Sequence, residues 1–408
     1  MDDLLNQLTK TKEASYILGS LDTNTKNNAL LSIKGAILNN IDLILKQNQI
    51  DIDEASMLSL PMINRLTLTK EKLIGIAKSI EELVKLHDPI NEVISSNKMP
   101  NGLIINKVRV PFGVVCCIFE ARPNVLVDIA CLTLKTGNAC VLKGGKEAYH
   151  TNLCLSKIIK EAIKDYVPID SVLFVESNRR EETLFLLKQK QFIDLAVPRG
   201  GKSLINFVVS NSIVPYIETG AGVCHIFLND DYDFELALDI IDNAKRQNPS
   251  VCNSVETLLV HPNIANEFLP MLQKRLNDVL LIGCEKTCRI IDCQKTSLDN
   301  YYTEYNDLIL NVLVCDLDEA IKHIRKYSTG HSESILSNKK DDIIRFMNSI
   351  DSACVYNNAS TRFTDSGCFG MCAELGISTQ KLHARGPMGL NEMTSYKYQI
   401  FGQGQIRK

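Results

Sequence analysis

Cys252 is set apart from the other cysteines by its surroundings. It lies in Asn248-Pro249-Ser250-Val251-Cys252-Asn253-Ser254, a polar, turn-rich segment. An apolar run from Val255 to Val260 follows at once, broken by Glu256. A thiol on a loop ahead of a buried strand is well placed to face a cleft. A sulfur nucleophile must be partly ionised, and nearby backbone N–H groups favour that state. The competing reading is a small buried residue, the common fate of cysteine. A second polar group, Glu120-Ala121-Arg122-Pro123-Asn124, ends the apolar run from Val114 and begins a helix. Polar residues at the carboxyl end of a parallel strand point into the usual ligand crevice. The Asn124 amide could donate to a developing oxyanion, or simply cap the helix.

Three glycine pairs mark further corners. Lys143-Gly144-Gly145-Lys146 and Arg199-Gly200-Gly201-Lys202-Ser203 each follow a strand pattern and precede a helical one, and Gly220-Ala221-Gly222 opens a second series. Glycine lets backbone approach a ligand closely, the next helix presents free N–H groups, and the flanking Lys and Arg suggest phosphate. Turn geometry alone would also account for each pair. No G-x-G-x-x-G follows a strand, and no Walker loop, H-E-x-x-H or paired C-x-x-C occurs. Cys284, Cys288 and Cys293, or Cys368 with Cys372, have the wrong spacing for common zinc sites and lack a nearby His, so no metal is expected.

The elements that must hold these residues follow from periodicity. Apolar spacing predicts a helix over Thr25 to Leu45, through Leu30, Ile33, Ile37, Ile41 and Ile44, and another through Leu73, Ile76, Ala77, Ile80 and Leu83. Lys98-Met99-Pro100-Asn101-Gly102 breaks the helical pattern. Strands are then expected at Val114–Phe119, Ala139–Leu142, Val172–Val175 and Phe192–Val197, with helices at Val125–Leu134 and Thr151–Ile163. The second series has strands at Cys224–Leu228 and Thr257–Val260 and helices at Phe234–Lys245 and Leu317–Lys326. Such alternation implies an α/β fold with parallel sheets. A boundary is placed near Gly220, and Ser395 to Lys408 reads as an arm with little core of its own.

Composition limits the function classes. The 408 residues are 45% hydrophobic and 23% charged, enough for two or three domains. Lys plus Arg number 45 against 48 Asp plus Glu, a net charge of −3 that argues against a nucleic-acid binder. The absence of Trp argues against a carbohydrate-stacking groove. The run from Val110 to Phe119 is too short to span a membrane. The acidic start, without a signal-like segment, and 14 scattered Cys lead us to expect a cytoplasmic chain with reduced thiols.

The chain resembles the gamma-glutamyl phosphate reductases of proline biosynthesis, a branch of the aldehyde dehydrogenase superfamily. The likeness is carried by Pro111-Phe112-Gly113-Val114, by Glu120 to Val125, by Leu134 to Ala139, by Lys143 to Glu147 and by Pro198 to Gly201. It continues through Gly222 to Ile226 and Asn248 to Val260, and it is most specific in Ser378 to Leu390. The resemblance implies an aldehyde-dehydrogenase-like α/β fold with a Rossmann-type cofactor-binding domain (1–220, with 98–110 an excursion to the oligomerisation region). A catalytic domain (221–390) and a small oligomerisation arm (391–408) complete it. It implies Cys252 as nucleophile and Asn124 as oxyanion donor, with Lys143, Lys146, Gly200, Gly201 and Glu304 binding NADPH, Lys146 toward the 2′-phosphate. Such families lack the G-x-G-x-x-G fingerprint. The implied substrate is gamma-glutamyl phosphate, reduced through a Cys thioester to glutamate-5-semialdehyde, with Arg122 and Arg385 as candidates for gripping its anionic groups. A homo-oligomer and a separate glutamate 5-kinase are the implied partners, with neither nucleic acid nor membrane. Two other readings are an aldehyde-oxidising dehydrogenase on the same fold, which would need Glu218 to activate water, and a catalytically silent scaffold for the kinase, against which the intact Cys252, Asn124 and Glu304 speak.

Overall fold

The computed structural model describes residues 2–55, 60–177, 179–371 and 375–407. It forms two compact units. One comprises Met1–Glu218, Met371–Gly376 and Met388–Lys408, and the other Thr219–Gly370 and Ile377–Pro387. Both are α/β with parallel sheets, the class expected from the alternation. Among the described residues no helix is long and apolar enough to cross a membrane.

In the first unit, helices α1 (Asp2–Leu18), α2 (Thr23–Asn39), α3 (Ile41–Glu54), α4 (Leu60–Leu66) and α5 (Lys70–Lys85) come first. The single helix expected over Thr25 to Leu45 is broken at Asn40. The Asn40 side chain donates to Ala36 O (2.8 Å) and its backbone N–H to Ile37 O (3.2 Å). Asparagine competes in this way for the hydrogen bonds a helix needs, while the apolar spacing runs on across the break. Lys26 and Asp88 form a buried ion pair at 2.5 Å, which ties α2 to the segment that follows α5.

Two antiparallel strands follow, β1 (Val93–Lys98) and β2 (Ile104–Pro111), joined across the Pro100-Asn101-Gly102 break. The strand Thr394–Phe401 pairs with β2 in full register, from Thr394 opposite Pro111 to Phe401 opposite Ile104. Tyr396, Tyr398, Ile400 and Phe401 are exposed on it.

The parallel sheet has the order β5 (Val172–Phe174), β4 (Ala139–Gly144), β3 (Val114–Phe119), β6 (Leu195–Arg199). All six residues of β3 are buried, as a strand covered on both faces must be. The strand expected at Phe192–Val197 starts later, because Phe192 and Ile193 both donate to Gln189 O in a turn. Helices α6 (Pro123–Lys135), α7 (Tyr149–Ile163), α8 (Arg180–Leu186) and α9 (Lys202–Asn211) follow β3, β4, β5 and β6 in turn.

In the second unit seven parallel strands take the order β10 (Gln294–Lys295), β9 (Leu280–Gly283), β11 (Ile309–Val314), β8 (Val255–Val260), β7 (Cys224–Leu228), β12 (Ser332–Leu336), β13 (Cys354–Asn357). Helices α10 (Phe234–Arg246) and α11 (Pro262–Arg275) pack with β7, β8, β9 and β11 in one core. Helices α12 (Glu285–Cys288), α13 (Leu317–Tyr327) and α14 (Lys340–Ser349) complete the unit. β8 begins two residues before the expected Thr257. Glu256 can lie inside a wholly buried strand because Lys245, also fully buried, meets it at 2.8 Å.

Candidate active site

In the second unit, Cys252 lies half-buried on the loop between α10 and β8. Its main chain is held from several sides. The Cys224 S–H donates to Cys252 O at 3.2 Å. Gly222 packs so close that a Cβ there would sit 1.4 Å from the same oxygen, leaving room for glycine alone. The next residue, Asn253, donates its amide to Thr364 O (2.8 Å) and accepts on its carbonyl from Thr361 Oγ1 (2.7 Å). Ser254 N–H closes a turn onto Val251 O. Beneath the loop, Lys245 Nζ bonds both Glu256 and Val255 O, joining the end of α10 to the start of β8. Burial pushes the Glu256 carboxyl up, against the pull of Lys245. The Arg362 guanidinium lies within electrostatic range of the Cys252 thiol.

Glu304 enters the same cluster. Its carboxylate accepts from Gly222 N–H at 2.9 Å, so one glycine touches both the thiol loop and this Glu. Arg385 does not present an open guanidinium. It donates to Asp351 Oδ1 (2.7 Å) and Asp351 O, and Lys381 shares the carboxylate, while Arg385 Nε is buried without a hydrogen-bond partner among the described residues.

The first unit carries the other candidates at the carboxyl ends of its strands. After β3 the chain turns through Ala121, whose φ of 38° is unusual for a residue with a Cβ. Arg122 occupies the N-cap position of α6, with Pro123 at its first turn. Asn124 is therefore inside the helix and is not its cap. Its amide donates to Asp128 Oδ2, one turn on, at 3.1 Å. At the end of β4, Lys143 is buried with its Nζ on Gly144 O (3.2 Å), and Lys146 is exposed on the short turn that follows. Burial lowers the Lys143 ammonium, with Glu182 pulling the other way. Gly200 and Gly201 join β6 to α9, and Gly201 N–H donates to Glu120 Oε2 at 2.8 Å. Glu218 is half-buried.

Among the described residues no group of three or more His, Cys, Asp or Glu is placed to hold a metal ion. Cys372 lies outside the described residues. Sequence reasoning missed the roles of Gly222, Asp128 and Lys245. The Gly220-Ala221-Gly222 corner and Glu256, the acidic residue interrupting the apolar run after Cys252, were the signals present, but neither shows that Gly222 packs on Cys252 O or that Lys245 answers Glu256.

A family model for the aldehyde dehydrogenase family matches residues 26–286. The gamma-glutamyl phosphate reductase of Dictyoglomus thermophilum is 50% identical over 415 residues, covering 100% of both chains. This chain belongs to the aldehyde dehydrogenase family, in its gamma-glutamyl phosphate reductase branch. The enzyme of that name from Clostridium perfringens is 49% identical over 413 residues, again covering 100% of both chains. The crystal structure of gamma-glutamyl phosphate reductase from Thermotoga maritima superposes with a TM-score of 0.97 at 43% identity, covering 99% of this chain and 100% of that one. An acetylating aldehyde dehydrogenase from Geobacillus thermoglucosidasius shares the fold, with a TM-score of 0.72 at 15% identity, covering 100% of this chain and 98% of that one.

Family membership implies a nicotinamide dinucleotide as cofactor. The first unit fits such a group. Glu147 Oε2, Glu182 Oε2 and both amide atoms of Asn152 are buried without hydrogen-bond partners among the described residues. Glu147 and Glu182 lie within electrostatic range of Lys143, and Asn152 Nδ2 lies against Gly144, 2.5 Å from where a Cβ would be. Buried donors and acceptors left unpaired are costly, and ribose hydroxyls would satisfy them.

Proposed function

We infer that this chain reduces gamma-glutamyl phosphate to glutamate-5-semialdehyde and phosphate, the second step of proline synthesis from glutamate. The observation that carries the reading is the clamped loop of Cys252, with its carbonyl held by Cys224 and Gly222 and with Glu304 bonded to the same glycine.

In this account the Cys252 thiolate attacks the acyl carbon, its S–C bond forms as the carbonyl becomes a tetrahedral oxyanion, and the collapse of that oxyanion breaks the acyl C–O bond and releases phosphate. The tetrahedral oxyanion is assigned to the Asn124 amide together with the Cys252 N–H, and one such donor contributes ~3 kcal/mol in the transition state. A thioester remains on Cys252. NADPH, held by the residues assigned below, would supply the hydride equivalent for its reduction. Cys252 then departs as thiolate when the thiohemiacetal collapses to the aldehyde. Covalent catalysis divides one hard step into two easier ones.

For the cofactor, Lys143 is assigned the adenosine ribose, Lys146 the 2′-phosphate, Gly200 and Gly201 the pyrophosphate and Glu304 the nicotinamide ribose. The bond between Gly201 N–H and Glu120 requires that carboxylate to move aside if the pyrophosphate uses this donor. NADH is the second reading, favoured by the carboxylates of Glu147 and Glu182 around Lys143, which suit hydroxyls better than a 2′-phosphate. Arg122 and Arg385 remain the assigned grips for substrate anions, Arg385 only by leaving Asp351. The exposed aromatic and aliphatic side chains of Thr394–Phe401 suit an arm that a second copy of the chain covers. A separate glutamate 5-kinase would supply the labile acyl phosphate.

The test is the reverse reaction, phosphate-dependent reduction of NADP and of NAD with glutamate-5-semialdehyde. Turnover that requires phosphate and is faster with NADP supports the account. Turnover in water alone would favour an oxidising dehydrogenase.

A further inference from the structure

Asn124 and Asp128 are four residues apart on α6, so their side chains leave the same face of the helix. Their contact leaves Asp128 in an unusual position. It is half-buried, and among the described residues it forms no ion pair. Three other shielded carboxylates of this unit, outside the Glu147 and Glu182 pair near Lys143, are satisfied. Asp88 holds Lys26, Asp194 holds Lys12, and Asp51 accepts from His150 N–H, Thr151 N–H and Thr151 Oγ1. Among the described residues Asp128 accepts from one neutral amide donor. Burial pushes its carboxyl up to about 6, against the pull of Asn124 and of the more distant Arg199. A carboxylate held partly out of water without a cation gains most from a ligand that brings one.

The substrate inferred above brings such a cation. In a glutamyl group two methylenes separate the reacting carbonyl carbon from the carbon bearing the amine, and the carbonyl oxygen and amine nitrogen lie roughly 5–6 Å apart when the chain is extended. Asn124 Nδ2 and Asp128 Oδ2 are 3.1 Å apart. With hydrogen bonds of about 3 Å at each end, a glutamyl chain can place its oxygen on Asn124 and its ammonium on Asp128.

We propose that Asp128 receives the α-ammonium of the glutamyl substrate and so selects it against acyl groups that lack the amine. The same carboxylate fixes which end of the Asn124 amide faces it, and it leaves the second N–H of that amide for the oxyanion. The proposal rests on the reaction inferred above and adds the residue that reads the amino group.

The experiment compares glutamate-5-semialdehyde with 5-oxopentanoate, the same aldehyde without the amine, in wild type, Asp128→Asn and Asp128→Glu. Phosphate and NADP are present throughout. Disturbing Asn124 lowers kcat with both aldehydes, whereas losing the ammonium contact acts on the amino substrate alone. The wild-type preference, as a ratio of kcat/KM values, is expected to fall at least about thirtyfold in Asp128→Asn. It should survive in Asp128→Glu, which keeps the charge. Inhibition constants for L-glutamate and glutarate should show the same loss of preference, and they replace the rates if 5-oxopentanoate is turned over too slowly. Should Asp128→Asn not fold, Asp128→Ser takes its place. A preference unchanged in the neutral variant, or absent in wild type, overturns the role of Asp128. A wild type that reduces no NADP with the semialdehyde overturns the reaction instead.

Discussion

Replacing Gly222 with Ala tests how the thiol loop is held. A methyl group there would lie 1.4 Å from Cys252 O, 2.3 Å from its carbonyl carbon and 2.7 Å from its Cα. These are main-chain atoms, so no rotamer change relieves the clash. Ordinary contact begins near 3.4 Å, and about 2 Å of movement is needed in the loop or in the 220–222 turn. Either movement strains or breaks the bond from Gly222 N–H to Glu304 and the bond from Cys224 to Cys252 O. A misplacement of about 1 Å near reacting groups costs about 10²-fold in rate. Gly222→Ala is therefore expected to lower kcat/KM by at least about 10²-fold, or about 2.7 kcal/mol of transition-state stabilisation. Overpacking should cost a further 1–3 kcal/mol of stability, approximately, so circular dichroism must first establish that the variant is folded. The assay is phosphate-dependent reduction of NADP with glutamate-5-semialdehyde. A folded variant with kcat/KM within about threefold of wild type would refute the claim that Gly222 sets the position of the nucleophile.

Two predictions concern stability. His331 is fully buried, and burial lowers its imidazole to about 4 from the ordinary 6.5. Near pH 6.5 the unfolded chain takes up a proton that the folded chain refuses until about pH 4, so this stabilisation is complete above pH 6.5 and is lost as pH falls. The loss should approach about 3 kcal/mol by pH 4, and His331→Gln should flatten the acid side of the stability curve from urea unfolding; parallel curves would contradict this. Asp88→Asn leaves the buried Lys26 ammonium without its counter-charge. It should cost about 3–5 kcal/mol, read as a lowered melting temperature, and a loss below about 1 kcal/mol would contradict the weight given to this pair.

Much of the architecture was legible from periodicity. β3 announces itself as a continuous apolar run, and the limits of β7, α10 and α13 were found within a residue. The break at Asn40 was not legible, because apolar residues keep helical spacing on both sides of it. The pairing of Thr394–Phe401 with β2 joins segments nearly 300 residues apart, and no local pattern encodes a register that long-range packing sets. At the candidate site, Cys252 stood out because its polar, turn-rich neighbours differ from those of the buried thiols. Lys245 did not, since it looks like any residue at the end of an amphipathic helix. Its role appears only once Glu256, one strand away, is seen to need a cation. Gly222 and Asp128 act through distances that sequence spacing does not carry. The first depends on a loop thirty residues later, and the second on what its helix face leaves unpaired.

The most direct measurement is to trap the acyl-enzyme. The protein is mixed with glutamate-5-semialdehyde and NADP without phosphate, quenched rapidly in acid, digested and weighed by mass spectrometry, beside a Cys252→Ala control. The account predicts one glutamyl group on the peptide containing Cys252, lost when phosphate is restored, and no turnover by the control. Turnover by Cys252→Ala, or an adduct on another cysteine, would contradict it.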